Sequence, residues 1–188
     1  VFFALGVLSF FLLSLTNTNT IFISICFGLM IVLYPLTKRF FIGPQIFLGL
    51  TFNPTIIVYA MTNELNNPTM VFLYLAIAAK TIAFDSFYGL CDIEDDKKLG
   101  INSTPLWWGS KTLLIIAILQ FTVISLFLIM GLKAELSFAW YIGILLLSGF
   151  HFYQHQLAAQ KNFLLAFKNN HWAYLYLLIL SVFCFLII

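Results

Sequence analysis

Five of the chain's seven acidic residues stand within the twelve positions from Asp85 to Asp96, in the stretch DSFYGLCDIEDDKKLGINSTP. Carried on one continuous helix, Asp85, Asp92 and Asp96 fall at i, i+7 and i+11 and share a face. Tyr88 joins that face, while Glu94 and Asp95 point elsewhere. Like charges at this spacing repel, and burying them in hydrocarbon costs about 10 kcal/mol or more on insertion scales. They belong at a membrane surface or in a wet cavity, with a cation to neutralise them. The pair Asp92 and Asp96 offers hard oxygen ligands one helical turn apart. Magnesium characteristically takes one or two carboxylates and fills its other positions with water and substrate phosphate. With Lys38, Arg39, Lys97 and Lys98 on the same side, the arrangement is a cradle for a diphosphate. The competing reading is a solvated acidic loop that only helps to set topology.

The elements around this stretch must lie in lipid. The 188 residues are 62% hydrophobic and 9% charged, with a mean hydropathy of +1.03, against about 25% charged residues in a soluble domain. Seven apolar segments, at 1–15, 20–36, 44–61, 68–88, 109–131, 136–153 and 171–188, predict an all-α polytopic membrane bundle forming one domain over 1–188. Gly43-Pro44, Asn67-Pro68 and Thr104-Pro105 read as helix starts, the last two as an N-cap followed by proline. Asn53-Pro54 predicts a kink or break in the third segment.

Alternation across the bilayer puts Lys38, Arg39, Lys97, Lys98, Lys111, Lys161 and Lys168 on one side and Lys133 on the other, with Lys80 inside a span. The basic side is cytoplasmic by the positive-inside rule, and the acidic stretch with it. The basic residues form no stripe, so the net charge of +2 does not point to nucleic acid. The three cysteines have no CxxC spacing and suggest neither a metal knuckle nor a disulfide frame. The first run would span only about 22 Å as a helix against roughly 30 Å of hydrocarbon, which raises the expectation of further sequence upstream of Val1.

FDSFYGLCDIEDDKKLGINSTPLWWG resembles the second aspartate-rich motif of the UbiA-type intramembrane aromatic prenyltransferases. In the 4-hydroxybenzoate branch that motif runs approximately YDTxYAxxDxxDDxxxGxxSTAxxFG. Residues 34–53, YPLTKRFFIGPQIFLGLTFN, resemble the branch's YPxxKRxTxxPQxxLGxxF segment, and FYQHQLAAQKNFLLAFKNNHW resembles its late YQ…FKxFxxNxxxG region. The resemblance implies a bundle of nine spans, about seven of them here, around a cavity open to lipid. Two aspartate-rich motifs at its cytoplasmic mouth hold Mg²⁺ on the diphosphate of a polyprenyl donor. The implied reaction attaches the polyprenyl group to the ring of an aromatic acid such as 4-hydroxybenzoate, in ubiquinone biosynthesis at a bacterial inner membrane. By this match Asp92 and Asp96 are metal ligands, and Asp85, Tyr88 and Lys98 are catalytic. Lys38, Arg39, Asn53 and Lys97 bind substrate.

The family's first motif, of the NDxxDxxxD kind, is absent: outside 85–96 the only acids are Glu64 and Glu135. The resemblance therefore covers a C-terminal portion, and an alternative is an inactive or split fragment that needs a separate N-terminal piece. Lys80 replaces a usual aromatic, and either snorkels or pairs with Asp85. Asn102 replaces a lysine and Pro105 an alanine. His151 and His155, at i and i+4 without an HExxH glutamate, read as surface or interfacial side chains, and His171 as a helix-start residue. A CDP-alcohol transferase needs a D-G-x-x-A-R run, which a chain whose only arginine is Arg39 lacks. A transporter built on a buried Lys80–Asp85 pair is the reading of a different class.

Overall fold

The computed structural model describes residues 2–187. Its helices in chain order are α1 (Phe2–Ser14), α2 (Thr18–Phe40), α3 (Pro44–Thr51), α4 (Thr55–Met61), α5 (Thr69–Cys91), α6 (Ile93–Leu99), α7 (Thr104–Trp108), α8 (Thr112–Lys133), α9 (Phe138–Ala159), α10 (Phe163–Lys168) and α11 (Asn170–Ile187). One 3-10 turn, Gly109–Lys111, joins α7 to α8, and no strand occurs among the described residues. Helix occupies each of the seven apolar segments. Three stretches, Thr18–Phe40, Thr69–Cys91 and Thr104–Lys133, are long and apolar enough to cross a membrane by length and composition.

The third segment breaks where Asn53-Pro54 predicts. Asn53 is buried; its Nδ2 donates to the Tyr74 carbonyl at 2.9 Å and its Oδ1 accepts from the Thr55 N–H at 3.2 Å. The break is thus satisfied internally, as a lipid-embedded backbone requires. Asn67 caps α5 by accepting from the Thr69 N–H at 3.0 Å. At the third predicted start the cap is one residue earlier than expected. Ser103, in extended backbone, is the N-cap of α7, and Thr104 is already helical.

α5 is the axis of the bundle, packed against α3, α4, α7, α8 and α10. Its buried face is built from small residues, including Ala76, Ala78, Ala79, Ala83, Ser86 and Gly89. In lipid, helices gain little from hiding apolar surface, so close backbone approach and internal hydrogen bonds hold them together. At Gly49 of α3 a Cβ would lie 2.6 Å from Ile82 Cγ1 and 2.7 Å from the Ala78 carbonyl oxygen. Across α8 and α9, Trp140 Nε1 donates to the Phe127 carbonyl at 3.0 Å and its ring meets Phe127 edge-on.

The histidines of α9 are not at the surface. His151 is buried, and His155 Nε2 lies 2.9 Å from Gln120 Oε1 of α8. Gln120 Nε2 donates to Gln154 Oε1 at 2.8 Å, and Gln154 Nε2 donates to the Ala166 carbonyl at 3.1 Å. This polar chain ties α8, α9 and α10 together, and buried amides of this kind are worth having only when every group is satisfied. A pair at i, i+4 has the same spacing whether it faces water or a neighbouring helix, so the sequence left its facing open. His171 is the second residue of α11, as expected.

Candidate functional site

The acidic stretch is not one helix. α5 ends at Cys91, and Asp92, at φ −95° and ψ 2°, serves as the junction to α6. The Asp92 carbonyl accepts from the N–H groups of Asp95 and Asp96 at 3.0 and 2.8 Å, which starts the new helix. The inside-outside pattern survives this break. Asp96 is 4% exposed, whereas the Glu94 and Asp95 side chains are 74% and 75% exposed. Asp92 is half-buried.

Gly100 ends α6 in the left-handed conformation, φ +63°, which a residue without Cβ adopts freely. The chain then turns back, and the Asn102 N–H donates to the Lys38 carbonyl at 2.8 Å, pinning the loop to the end of α2. Thr104 is fixed twice, its N–H by Gln45 Oε1 at 2.8 Å and its hydroxyl by Ser86 Oγ at 2.8 Å. Pro105 packs so close to Gly89 that a Cβ there would meet its ring at 3.0 Å. The Pro-Gln of residues 44–45, Ser86, Gly89 and the Ser-Thr-Pro of 103–105 are therefore the clamp that positions the acidic turn.

α2 meets the carboxylates. Lys38 and Asp92 are charges near enough to act on Asp85, and Asp85 and Asp96 both act on Tyr34, one turn before Lys38. Tyr34 and Lys38 of α2 are thus close to Asp85, and Asp92 and Asp96 stand nearby. Arg39, the next residue after Lys38, is exposed. Asp96 Oδ2 is buried with no hydrogen-bond partner among the described residues. Such an orphaned carboxylate oxygen is expensive unless something cationic meets it. Asp92 at the same junction adds a second hard oxygen donor, while among the described residues no group of three or more His, Cys, Asp or Glu side chains comes together to hold a metal ion.

Other expected site residues lie elsewhere. Lys97 and Lys98 sit on the outer face of α6, paired with Glu94 at 3.7 Å and Asp95 at 3.3 Å rather than with the inner carboxylates. Asn53 spends both polar ends on backbone. Lys80 does not pair with Asp85: five residues apart, they point about 140° from each other around the helix. Lys80 Nζ lies instead 4.5 Å from the centre of the Tyr174 ring.

Elsewhere in the bundle lie two apolar cavities, lined by none of these charged residues. A cavity of about 510 Å³ is lined by Phe52, Tyr59, Leu73, Ile77, Phe84 and Tyr174 among others. A second, of about 430 Å³, shares Leu73, Ile77 and Tyr174 and extends to Trp140. A chain of aromatic contacts runs from Tyr88 on α5 to Tyr174 on α11, which lines both cavities. Tyr88 lies 5.1 Å from Phe167 between ring centres, Phe167 5.7 Å from Phe84, and Phe84 6.0 Å from Tyr174. Sequence reasoning missed Tyr34, Phe84, Phe167 and Tyr174. The helical spacing of Tyr34 and Lys38 was a usable signal; nothing in a chain with 22 phenylalanines and eight tyrosines distinguishes the other three.

The sequence matches the UbiA prenyltransferase family over residues 1–178. The chain belongs to that family. It is 38% identical over 176 residues to a 4-hydroxybenzoate octaprenyltransferase of Alcanivorax borkumensis, covering 92% of this chain and 61% of that protein. It is 35% identical over 178 residues to the protein of the same name from Marinobacter nauticus, covering 92% and 60%. With that of Francisella tularensis subsp. novicida it shares 32% over 184 residues, covering 95% and 64%. The chain thus spans about three-fifths of the length of these UbiA relatives. The apo structure of a UbiA homolog from Aeropyrum pernix K1 has the same fold, with a TM-score of 0.78 at 19% identity over 90% of this chain and 65% of that one. Family membership and the three long apolar helices make this a membrane protein.

Proposed function

We propose that the chain transfers a polyprenyl group from a polyprenyl diphosphate to the ring of 4-hydroxybenzoate, in ubiquinone biosynthesis at the cytoplasmic face of a bacterial inner membrane. The observation that carries this reading is the buried, unpartnered carboxylate oxygen of Asp96, in a helical bundle that also holds an aromatic-walled apolar cavity. The names of the curated relatives supply the donor and acceptor classes.

Asp92 and Asp96 would hold Mg²⁺, which supplies charge neutralisation for a departing diphosphate. Two carboxylates fill only part of its coordination, leaving positions for substrate oxygens, water or further carboxylates. Lys38 and Arg39, at the end of α2, add positive charge beside the same anion. Lys97 and Lys98 form only exposed pairs of little strength, so they remain free to draw an anionic head toward the mouth. The isoprenoid tail occupies the apolar cavities, from which water is excluded as the allylic C–O bond breaks. Positive charge developing on the prenyl carbon meets the ring faces of Tyr88, Phe167 and Phe84. The acceptor ring carbon forms the new C–C bond and gives up its proton, for which Asp85, at the boundary between acids and apolar walls, is the base.

The test is prenyl transfer in membranes supplied with polyprenyl diphosphate, 4-hydroxybenzoate and Mg²⁺. It is run with this chain alone and with the N-terminal part of a curated relative in trans. Transfer in either arm that Asp92→Ala abolishes supports the reading. Transfer indifferent to Asp92→Ala, or none in either arm, overturns it.

A further inference from the structure

The two apolar cavities meet at three residues, Leu73 and Ile77 of α5 and Tyr174 of α11. On α5 the first cavity is lined by Leu73, Ile77, Thr81 and Phe84, which share one face. Its acid-side end is Phe84, the residue before Asp85. The two α5 residues it shares with the second cavity, Leu73 and Ile77, are those farthest from the acids. The second cavity therefore continues the first, away from Asp92. Along α11 it runs from Tyr174 through Leu177, Leu178, Ser181 and Cys184, ten residues or about 15 Å of helix. Tyr174 stands at the junction, and two α5 side chains hold its ring there. Lys80 Nζ is 4.5 Å from the ring centre, and Phe84 meets it edge-on at 6.0 Å.

The second cavity reaches into the core: Phe127, Met130, Trp140 and Cys184 on its walls are each 8% exposed or less. Packed interiors hold few voids larger than a water molecule, and an unfilled one forfeits the contacts of its lining. Its lining carries no charged side chain and suits hydrocarbon. At about 30 Å³ per heavy atom, the share of a water in its liquid, 510 Å³ takes about 17 carbons and 430 Å³ about 14. Each cavity thus holds roughly three five-carbon isoprene units, and neither alone holds the eight of an octaprenyl tail.

We infer that the second cavity is a chain-length subsite, which takes the distal isoprene units of a long prenyl donor past Tyr174, whereas a donor of three units stops in the first. This rests on the transferase reading given above and adds to it the residues that read the length of the tail. Tyr174 is the boundary, and Ser181 and Leu178 line only the part beyond it.

The test is equilibrium binding of farnesyl diphosphate and octaprenyl diphosphate, with Mg²⁺, to the full chain in detergent micelles. Ser181→Phe fills the second cavity. The Ser181 hydroxyl donates to the Leu177 carbonyl of its own helix at 2.7 Å, so its loss leaves no neighbouring helix unpaired. The variant is expected to weaken the octaprenyl donor by about tenfold and to leave the farnesyl donor unchanged, because in a micelle a tail gains packing rather than burial from water. Leu178→Trp, from a lipid-facing position on the same cavity, is expected to do the same, and serves if Ser181→Phe does not fold. Val58→Phe, which narrows the first cavity, is expected to weaken both donors. Equal weakening of both donors by Ser181→Phe and Leu178→Trp overturns the inference. So does no weakening of either, which would send the distal units into the surrounding lipid. The two readings fail separately. Asp92-dependent transfer with no discrimination by length in the filled variants removes the subsite alone. Length discrimination without any prenyl transfer removes the transferase reading alone.

Discussion

Asp96 offers a perturbation whose sign depends on whether its carboxylate exists for the fold or for a ligand. The residue is 4% exposed and its Oδ2 has no hydrogen-bond partner among the described residues. An orphaned buried acceptor costs about 1–3 kcal/mol. Asp96→Ala is therefore expected to stabilise the ligand-free protein by about 1–3 kcal/mol, at about 2–4 °C per kcal/mol for a chain of this size. Mg²⁺ at about 100 times its dissociation constant should add about 2.7 kcal/mol to the wild type. It should add nothing to the variant. Asp95 is the matched control: one residue away, 75% exposed and 3.3 Å from Lys98. Asp95→Ala is expected to change stability by no more than about 0.5 kcal/mol and to leave the Mg²⁺ response intact. The assay is thermal unfolding in detergent followed by the fluorescence of the four tryptophans, with Mg²⁺ or with a chelator. A destabilised Asp96→Ala that still gains the full Mg²⁺ shift would refute the reasoning, because the carboxylate would then be structural.

Gly49→Ala should cost about 1–3 kcal/mol, because its Cβ would lie 2.7 Å from the Ala78 carbonyl oxygen, an atom that cannot move without shifting α5. Gly28→Ala, with nothing within 4 Å, is the neutral comparison in the same thermal assay. Gln45→Met preserves volume but leaves the buried Thr104 N–H without its 2.8 Å acceptor, for a loss of about 1–3 kcal/mol. Proteolysis between residues 92 and 103 should become faster in that variant as the acidic turn loosens, and an unchanged rate would show that the remaining ties, Ser86 to Thr104 and Asn102 to Lys38, hold the turn without Gln45.

The sidedness of the acids was legible because helical spacing persists on either side of a break: Asp96 is inside and Glu94 and Asp95 outside even though α5 stops at Asp92. The interrupted third segment was legible from Asn53-Pro54, since a proline after an asparagine removes a helical donor at a known place. The partners of Lys80 and His155 were not. Each depends on a residue far along the chain, Tyr174 and Gln120, chosen by which faces of α5, α8, α9 and α11 come together. Gln45 and Ser86 stand inside the family-like motifs and Thr104 reads as a helix start, with no sign in the sequence that the three meet. In space they are a clamp, because their hydrogen bonds close on each other rather than on the mouth.

By itself, the sequence determined that the chain is a helical membrane bundle with one concentrated patch of charge. Hydropathy and helical period act locally, and lipid allows few alternatives to helix. Its motifs also identified the family. Only the tertiary structure decided which charges converge. Lys38 and Tyr34 come to Asp85 and Asp96 from 47 and more residues away in the chain, whereas Lys97 and Lys98, adjacent to Asp96, turn outward. Lys80 likewise reaches a ring rather than the acid five residues away, because neighbours on a helix diverge by about 100° per residue while packed helices bring distant side chains face to face.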